Sequence, residues 1–382
     1  MSAVSEVDER SPMFVFTDEQ DALRATVRRF LAERSPETEV RRLMETETGY
    51  DPAVWNLMAG QIGLQGLALP EKFGGSGFGF VDLQIVLEEM GRALLCAPFL
   101  SSVVLAANAV LRSGDEAACA QYLPGIAAGS TVAALAVTEA AGSWRAADLT
   151  MGATAADGGY VLSGEKLFVP DGHVADLLFV VARTAVGPSL FAVDPATAGV
   201  LREPLATLDA TRKQSRLVFD GARARLIGEE GGAAQPLSDT LDLAAAGLAA
   251  EQAGGARRVL EMAVEYAKVR EQFGRPIGSF QAIKHKCADM LLAVESATSA
   301  AYAVGWAVDE GSDEVGVLAS LAKAFCSEAY THCTAENIQI HGGIGFTWEH
   351  PAHLYFKRAK STEILFGNPR HHRALLADRL GI

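Results

Sequence analysis

Arginine and aromatic side chains gather in one loop after a long helical pattern. The pattern reaches Tyr266, and Arg270, Phe273 and Arg275 follow within the stretch VREQFGRPIGSFQ that ends at Gln281. Arginine suits a pyrophosphate because its planar donors can engage two oxygens at once. A basic helix C-terminus favoured by the helix dipole is the simpler interpretation. The loop is therefore a candidate site for a phosphate-bearing ligand, with both interpretations open.

A second candidate is the polar turn that follows a short strand pattern at residues 136–143. Its hydroxyl groups and backbone N–H groups could meet the edge of a ligand. Glycine-rich runs at 74–77 and 342–345 are interpreted as loops by default, because glycine tolerates tight turns. No Walker A pattern is present and no GxGxxG motif sits between a strand and a helix, so a P-loop or Rossmann nucleotide site has no support.

Three segments that differ in hydrophobic periodicity must position these residues. Residues 1–128 show helical periodicity, and a capping box at Thr17 opens the first helix. Residues 129–230 show short apolar runs between Gly, Pro and Asp turns, which is typical of a β-barrel or β-sandwich domain. Residues 231–382 predict a four-helix bundle that mediates oligomerisation. The fold class is therefore α+β in one packed unit. Helices are predicted over 52–62, 81–112, 115–128, 237–270, 280–310 and 312–340.

Composition narrows the class of protein. The chain has 382 residues and a formal net charge of −14, which argues against nucleic acid or an anionic membrane surface as the main partner. Its 5 cysteines show no CxxC spacing, so no metal site is expected and a reducing cytoplasm fits best. Residues 1–12 carry no apolar signal region, and no stretch of about 18 apolar residues occurs, so neither secretion nor membrane spanning is expected.

The loop that ends at Gln281 resembles the acyl-CoA dehydrogenase signature YxxxRxxFGxxIxxxQ, which it matches from Tyr266 onward. Further similarity lies at residues 69–75, 137–143 and 339–346. The resemblance implies FAD as the cofactor, an acyl-CoA thioester as the substrate and an electron-transfer acceptor. It also implies an N-terminal helical domain, a central β-domain and a C-terminal helical bundle.

The resemblance also implies residue roles. Val137 and Thr138 would hold the flavin, Phe168 would stack against it, and Ser143 would meet the CoA moiety. The ADP half of FAD would be bound by a neighbouring subunit, so a homotetramer or heterotetramer is expected. The positions that match this half are Arg270, Phe273, Gln281, Gln339, Gly342 and Gly343.

The catalytic base of the family is missing. The reaction removes an α-proton while a hydride leaves the β-carbon, and it needs a carboxylate in a dry pocket. The two positions that match the family's glutamates hold Ala244 and Phe366. Glu251 lies two helical turns beyond Ala244 and is a substitute candidate, with a buried structural glutamate as the alternative. Asp242 is a weaker candidate.

The flavin side also departs from the family pattern. Phe168, Val169, Pro170 and Asp171 stand where many members have Trp-Ile-Ser/Thr-Asn, and Pro170 offers neither an N–H nor a hydroxyl. Trp144 replaces the acid that usually follows Ser143.

These departures resemble heteromeric bacterial acyl-CoA dehydrogenases that act on fatty or steroid side chains. Three interpretations stay open: a dehydrogenase, a non-catalytic companion that completes a partner's FAD site, and a flavin-dependent monooxygenase.

Overall fold

A computed structural model describes residues 15–382 of the chain. The expectation for residues 1–12 lies outside this range. Helices occupy the first and last thirds and strands the middle, so the expected α+β class with its α, β, α order is confirmed.

The N-terminal helices surround a continuous apolar core. Thr17 caps the first helix through a capping box with Gln20, as the local sequence predicts. One long helix predicted over 81–112 is wrong, because the chain leaves the helix after Arg92. Leu94 takes a left-handed φ of 49°, and the chain turns through Pro98 before π-helical turns begin at Leu100. The helices are α1 (Asp18–Arg34), α2 (Glu37–Met44), α3 (Pro52–Leu57), α4 (Phe80–Arg92), α5 (Ala107–Arg112) and α6 (Glu116–Ala127).

The middle segment forms a 7-stranded sheet. It closes on itself, because β4 pairs with β5 as well as with β1 and β2, while β3 and β7 form the longest ladder. The β3–β7 register shifts between Lys166 and Val169, which frees Phe168 from the ladder. The strands are β1 (Ala133–Ala136), β2 (Gly152–Ala156), β3 (Gly159–Pro170), β4 (Leu177–Arg183), β5 (Pro188–Val193), β6 (Val200–Pro204) and β7 (Gln214–Ile227).

The C-terminal segment is a helical bundle with a small hairpin, β8 (Glu271–Gln272) and β9 (Arg275–Pro276). Among the described residues one helix, α8, is long and apolar enough to cross a membrane by length and composition. It packs against both α7 and α9 as a bundle helix. The helices are α7 (Ala234–Val269), α8 (Gln281–Asp309), α9 (Val315–His341), α10 (Ala352–Ile364) and α11 (Pro369–Leu380).

Two glycines bring the N-terminal domain against the bundle. A Cβ atom on Gly91 of α4 would lie 2.0 Å from the backbone oxygen of Glu251 on α7. A Cβ atom on Gly254 of α7 would lie 1.9 Å from the backbone oxygen of Glu88 on α4. Only a residue without a side chain allows this approach at either position.

Gly254→Ala is therefore expected to destabilise the fold by about 2 kcal/mol or more, because the added methyl meets backbone that cannot rotate away. Thermal unfolding followed by circular dichroism measures the change. Gly60→Ala is the matched control, since Gly60 is exposed in a helical turn with no atom within 4 Å of its Cβ position. Equal melting temperatures for Gly254→Ala and the control would contradict this packing.

Candidate functional site

The largest cleft in the vicinity of the predicted flavin residues opens between the β-domain and helices α10 and α11. Its volume is about 950 Å³. Thr138, Ser143, Trp144 and Phe168 line its β-domain side. The other side is formed by residues of α10, α11 and the loop between them, among them Lys360, Leu365 and His371. A cleft of this volume can hold a cofactor or a small-molecule substrate.

The flavin-side turn is fixed by an ion pair behind it. Nζ of Lys166 is buried, donates to the Val137 carbonyl oxygen at 2.9 Å and pairs with Glu139 at 2.8 Å. Burial lowers the pKa of Lys166 to about 8, although the Glu139 carboxylate opposes this shift. Burial alone would raise the pKa of Glu139, but hydrogen bonds from Lys166 and Thr150 lower it to about 2. The turn is thus held by a charged pair and by the Thr138 hydroxyl, which donates to the Leu167 carbonyl oxygen.

Phe168 presents its ring to the cleft. It is 45% exposed and takes a left-handed φ of 55°. A bulky residue in this region is strained, and such strain persists where the surroundings impose it, often at ligand sites. No other aromatic ring of residues 15–382 stacks on Phe168. The cleft therefore offers an open aromatic face beside the Thr138 turn, which fits the flavin that the resemblance implies.

Ser143 and Trp144 follow on the same wall of the cleft. The Ser143 hydroxyl donates to Asp148 at 2.6 Å. The Trp144 ring meets Phe366 edge to face, with 5.0 Å between ring centroids. Trp144 stands where the family pattern has an acid, and Phe366 stands where it has a glutamate base. The two aromatic side chains thus contact each other.

Both base positions are apolar and enclosed. Ala244 is fully buried on α7, and Phe366 is 3% exposed in the loop after α10. Both belong to the main hydrophobic core. Neither side chain can accept a proton, so the two positions predicted from the family pattern carry no acid–base function.

Glu251 lies in a buried ion network and not in the cleft. Its carboxylate pairs with Arg212 at 2.5 Å and with Arg358 at 2.8 Å. Arg358 also donates to Asp209 at 2.8 Å and to the Thr211 hydroxyl. Burial alone would raise the pKa of Glu251, but the charges of Arg212 and Arg358 outweigh burial and hold it below its usual value. This pairing favours the structural alternative over a role as base.

Asp242 is also paired. Both of its carboxylate oxygens accept hydrogen bonds from Arg379. Its burial raises the pKa to about 6. Asp242, the weaker of the two candidate bases, thus forms a salt bridge with Arg379.

The residues that match the ADP half lie on a separate surface. Tyr266 near the end of α7 stacks on His341 at the end of α9, with 4.3 Å between ring centroids. This contact brings the loop after α7, the start of α8 and the turn after α9 to one end of the bundle. All the predicted residues are exposed there, and Phe273 is 91% exposed with a left-handed φ of 52°. They are Arg270, Phe273, Gln281, Gln339, Gly342 and Gly343.

None of these residues lines the 950 Å³ cleft. A single chain therefore presents the two predicted halves of an FAD site as two surfaces. Val137 lies on neither surface. Its side chain is buried, with 1% exposure, so only its backbone could contact a ligand. No group of His, Cys, Asp and Glu in residues 15–382 could hold a metal ion.

Sequence reasoning missed the partners of the predicted residues. Arg212, Arg358 and Asp209 form the network around Glu251, and Lys166 with Glu139 fixes the turn. Charged residues inside apolar segments are a signal of buried pairing, since a buried charge must be compensated. The partners themselves are distant in sequence, so no spacing rule identifies them.

The chain matches three family models over nearly its full length. They are described as the N-terminal domain of acyl-CoA dehydrogenase over residues 17–130, the middle domain over 134–222 and the C-terminal domain over 231–381. Among curated relatives, acyl-CoA dehydrogenase IpdE2 of Mycolicibacterium smegmatis is 37% identical, over 93% of this chain and 96% of the relative.

Two solved structures are similar along the whole chain. One is the ChsE4–ChsE5 complex of Mycobacterium tuberculosis, with a TM-score of 0.87 and 29% identity over 96% of this chain and 98% of the other. The second is a variant of the Tcur3481–Tcur3483 steroid acyl-CoA dehydrogenase, with a TM-score of 0.86 and 31% identity over 95% and 98%.

Glu251→Gln is expected to lower the free energy of unfolding by about 3 kcal/mol at neutral pH, because it removes one of the two carboxylates that compensate the buried charges of Arg212 and Arg358. The pKa of Glu251 is lower in the folded chain, so its contribution is present above the unfolded-state pKa and is lost as pH falls through the folded-state pKa. The variant should therefore lose less stability than the wild type on acidification. Chemical denaturation at several pH values measures both effects.

Glu45→Gln, at an exposed position after α2, is the control and should change little. A stable Glu251→Gln protein that has lost the ability to reduce its flavin with a thioester would instead identify Glu251 as the base.

Proposed function

This chain belongs to the acyl-CoA dehydrogenase family, and we propose that it serves as one chain of a heteromeric, FAD-dependent acyl-CoA dehydrogenase. In this role it completes the FAD site of a related chain, and that chain carries the catalytic carboxylate. The assembly would be a tetramer in the cytoplasm, with an electron-transfer protein as the acceptor.

One observation carries the proposal. Ala244 and Phe366 fill both base positions with buried apolar side chains, while the surface around Arg270 and Phe273 keeps the residue types that suit an FAD pyrophosphate. This combination supports a chain that contributes to a cofactor site without a proton acceptor of its own. Glu251 does not restore the acceptor, because its oxygens are bound to Arg212 and Arg358.

The cofactor requirement follows from the family, and the fit rests on the residues present. Bound FAD supplies the hydride acceptor of the reaction. Phe168 offers a ring face and the turn at Thr138 offers a fixed backbone edge. At the other end of the bundle Arg270 offers planar donors for a pyrophosphate. Since these groups face different surfaces of one chain, a second chain must bring the missing half.

The substrate class is an acyl-CoA with a bulky acyl group. The support is the similarity to the Tcur3481–Tcur3483 enzyme, which is a steroid acyl-CoA dehydrogenase, and to IpdE2, a bacterial acyl-CoA dehydrogenase. The ChsE4–ChsE5 complex supports an assembly of two different chains. The acyl group itself would occupy the partner chain, where a carboxylate can reach its α-proton.

Purified alone, the chain is expected to leave flavin oxidised with every acyl-CoA from short linear to steroid-sized. Co-expressed with a co-encoded related chain that bears the glutamate, it should give a complex that reduces its flavin anaerobically with an acyl-CoA. Flavin absorbance in a stopped-flow or static titration measures both. Reduction by the single chain would overturn the proposal.

Arg270→Gln in the complex is expected to weaken FAD binding about tenfold or more, because one charge-assisted contact to phosphate is lost. Flavin content per protein after gel filtration measures the loss. Lys268→Gln is the matched control, since Lys268 is an exposed cation in the last turn of α7 with no predicted FAD contact. Equal flavin content in the two variants would exclude Arg270 from the FAD site.

A further inference from the structure

The ring of Phe366 lies behind Trp144 as seen from the cleft. Trp144 lines the cleft and Phe366 does not, yet the two rings touch edge to face at 5.0 Å. Edge-to-face packing is a favourable aromatic geometry. Trp144 therefore forms the floor of the cleft at this point, and Phe366 forms the layer below it.

Both base positions below this pair are enclosed. A base must lie within hydrogen-bond reach of the proton that it removes, so space for the acyl chain would have to border the two base positions. Ala244 is 0% exposed and Phe366 is 3% exposed, so water itself does not reach them. Leu243 and Val103 in the same core line a cavity of about 270 Å³, but Trp144, Phe366 and Ala244 do not border it. An acyl chain that entered here would have to displace both aromatic rings.

The backbone that carries Phe366 is fixed from two sides. Nζ of Lys323, a fully buried residue of α9, donates to the carbonyl oxygens of Glu363 at 3.2 Å and Gly367 at 3.1 Å. Nε2 of His372 lies 3.1 Å from the Phe366 carbonyl oxygen and donates to it. Burial lowers the pKa of His372 to about 3, so the ring is neutral and keeps this role across the physiological range.

These contacts hold an unfavourable backbone. Phe366 takes a φ of 63°, which is strained for a bulky side chain. Lys323 and His372 are thus positioning residues, because they stabilise a conformation that directs the Phe366 ring at Trp144. A ring held in this way acts as a fixed closure.

We propose that Trp144 and Phe366 close the acyl channel of this chain, so that its own cleft excludes the acyl group of a thioester. The ligand class rests on the proposed function, but the closure itself does not require a partner chain. The cleft can still take the CoA moiety at Ser143 and a planar ring at Phe168. An acyl-CoA would then gain nothing from its acyl chain on this subunit.

Isothermal titration calorimetry of the full-length chain tests the closure. The flavin content of the sample and any co-purified partner chain are determined first. The probes are octanoyl-CoA and CoA. The wild-type chain should bind both with equal affinity. For the double variant Trp144→Ala/Phe366→Gly, the ratio of octanoyl-CoA affinity to CoA affinity should rise about tenfold or more above that of the wild type, because an opened channel buries the alkyl chain. Glycine also suits the left-handed φ at position 366.

Tyr122→Ala is the matched control. Tyr122 also packs edge to face, against Phe179 at 5.5 Å, but lies outside the cleft. It should bind octanoyl-CoA as the wild type does. Circular dichroism shows whether each variant folds, and if the double variant does not, the wild-type comparison and Phe366→Gly alone decide.

A wild-type chain that binds octanoyl-CoA about tenfold tighter than CoA would overturn the closure, as would a folded double variant with no gain. These outcomes are separate from the proposed function. Flavin reduction by a complex with the glutamate-bearing chain tests that function, whether or not the channel of this chain is closed.

Discussion

The buried guanidinium of Arg358 is the constraint around which the site is built. It is 1% exposed, and an uncompensated charge at such a position would cost several kcal/mol. Asp209 from the β-domain and Glu251 from α7 compensate it, and both raise its pKa. Because Arg358 itself stands on α10, the network ties three separate parts of the chain together. Glu251 is then committed to two arginines, which argues against a role for this carboxylate in proton transfer.

Because Glu251 stabilises the fold through its ion pairs, the chain keeps the fold although both base positions are apolar. A glutamate at the position of Ala244 would have to be desolvated inside the apolar core, and Arg212 and Arg358 are already paired with Glu251 and Asp209. Apolar side chains at both positions avoid that cost and extend the core. The scaffold thus accommodates apolar side chains at both base positions without a buried, uncompensated charge.

Sequence alone predicts the fold class, the capped first helix and the exposed loop at Arg270, because each has a local signal. It predicts one helix over 81–112 where the structure has two helical segments, because no local sequence pattern predicts the left-handed φ of Leu94. It leaves the role of Glu251 open for a related reason. The deciding partners, Arg212 and Arg358, are 39 and 107 residues away in the chain. Ion pairs between distant segments depend on the packing of whole domains, which spacing rules do not describe.

Three phenylalanines share a strained backbone, and each lies in a region for which the sequence predicts a role. Phe168, Phe273 and Phe366 have φ values of 55°, 52° and 63°, in a region that disfavours bulky side chains. Phe168 faces the cleft, Phe273 stands on the exposed ADP-half surface, and Phe366 packs beneath Trp144. Such strain costs of order 1 kcal/mol or more at each position, so it persists only where surrounding contacts fix the ring. At Phe366 those contacts come from Lys323 and His372, within the chain. Phe273 is 91% exposed, and its ring lies edge to face with Phe280. The proposed partner chain and its cofactor would cover the exposed surface of that ring.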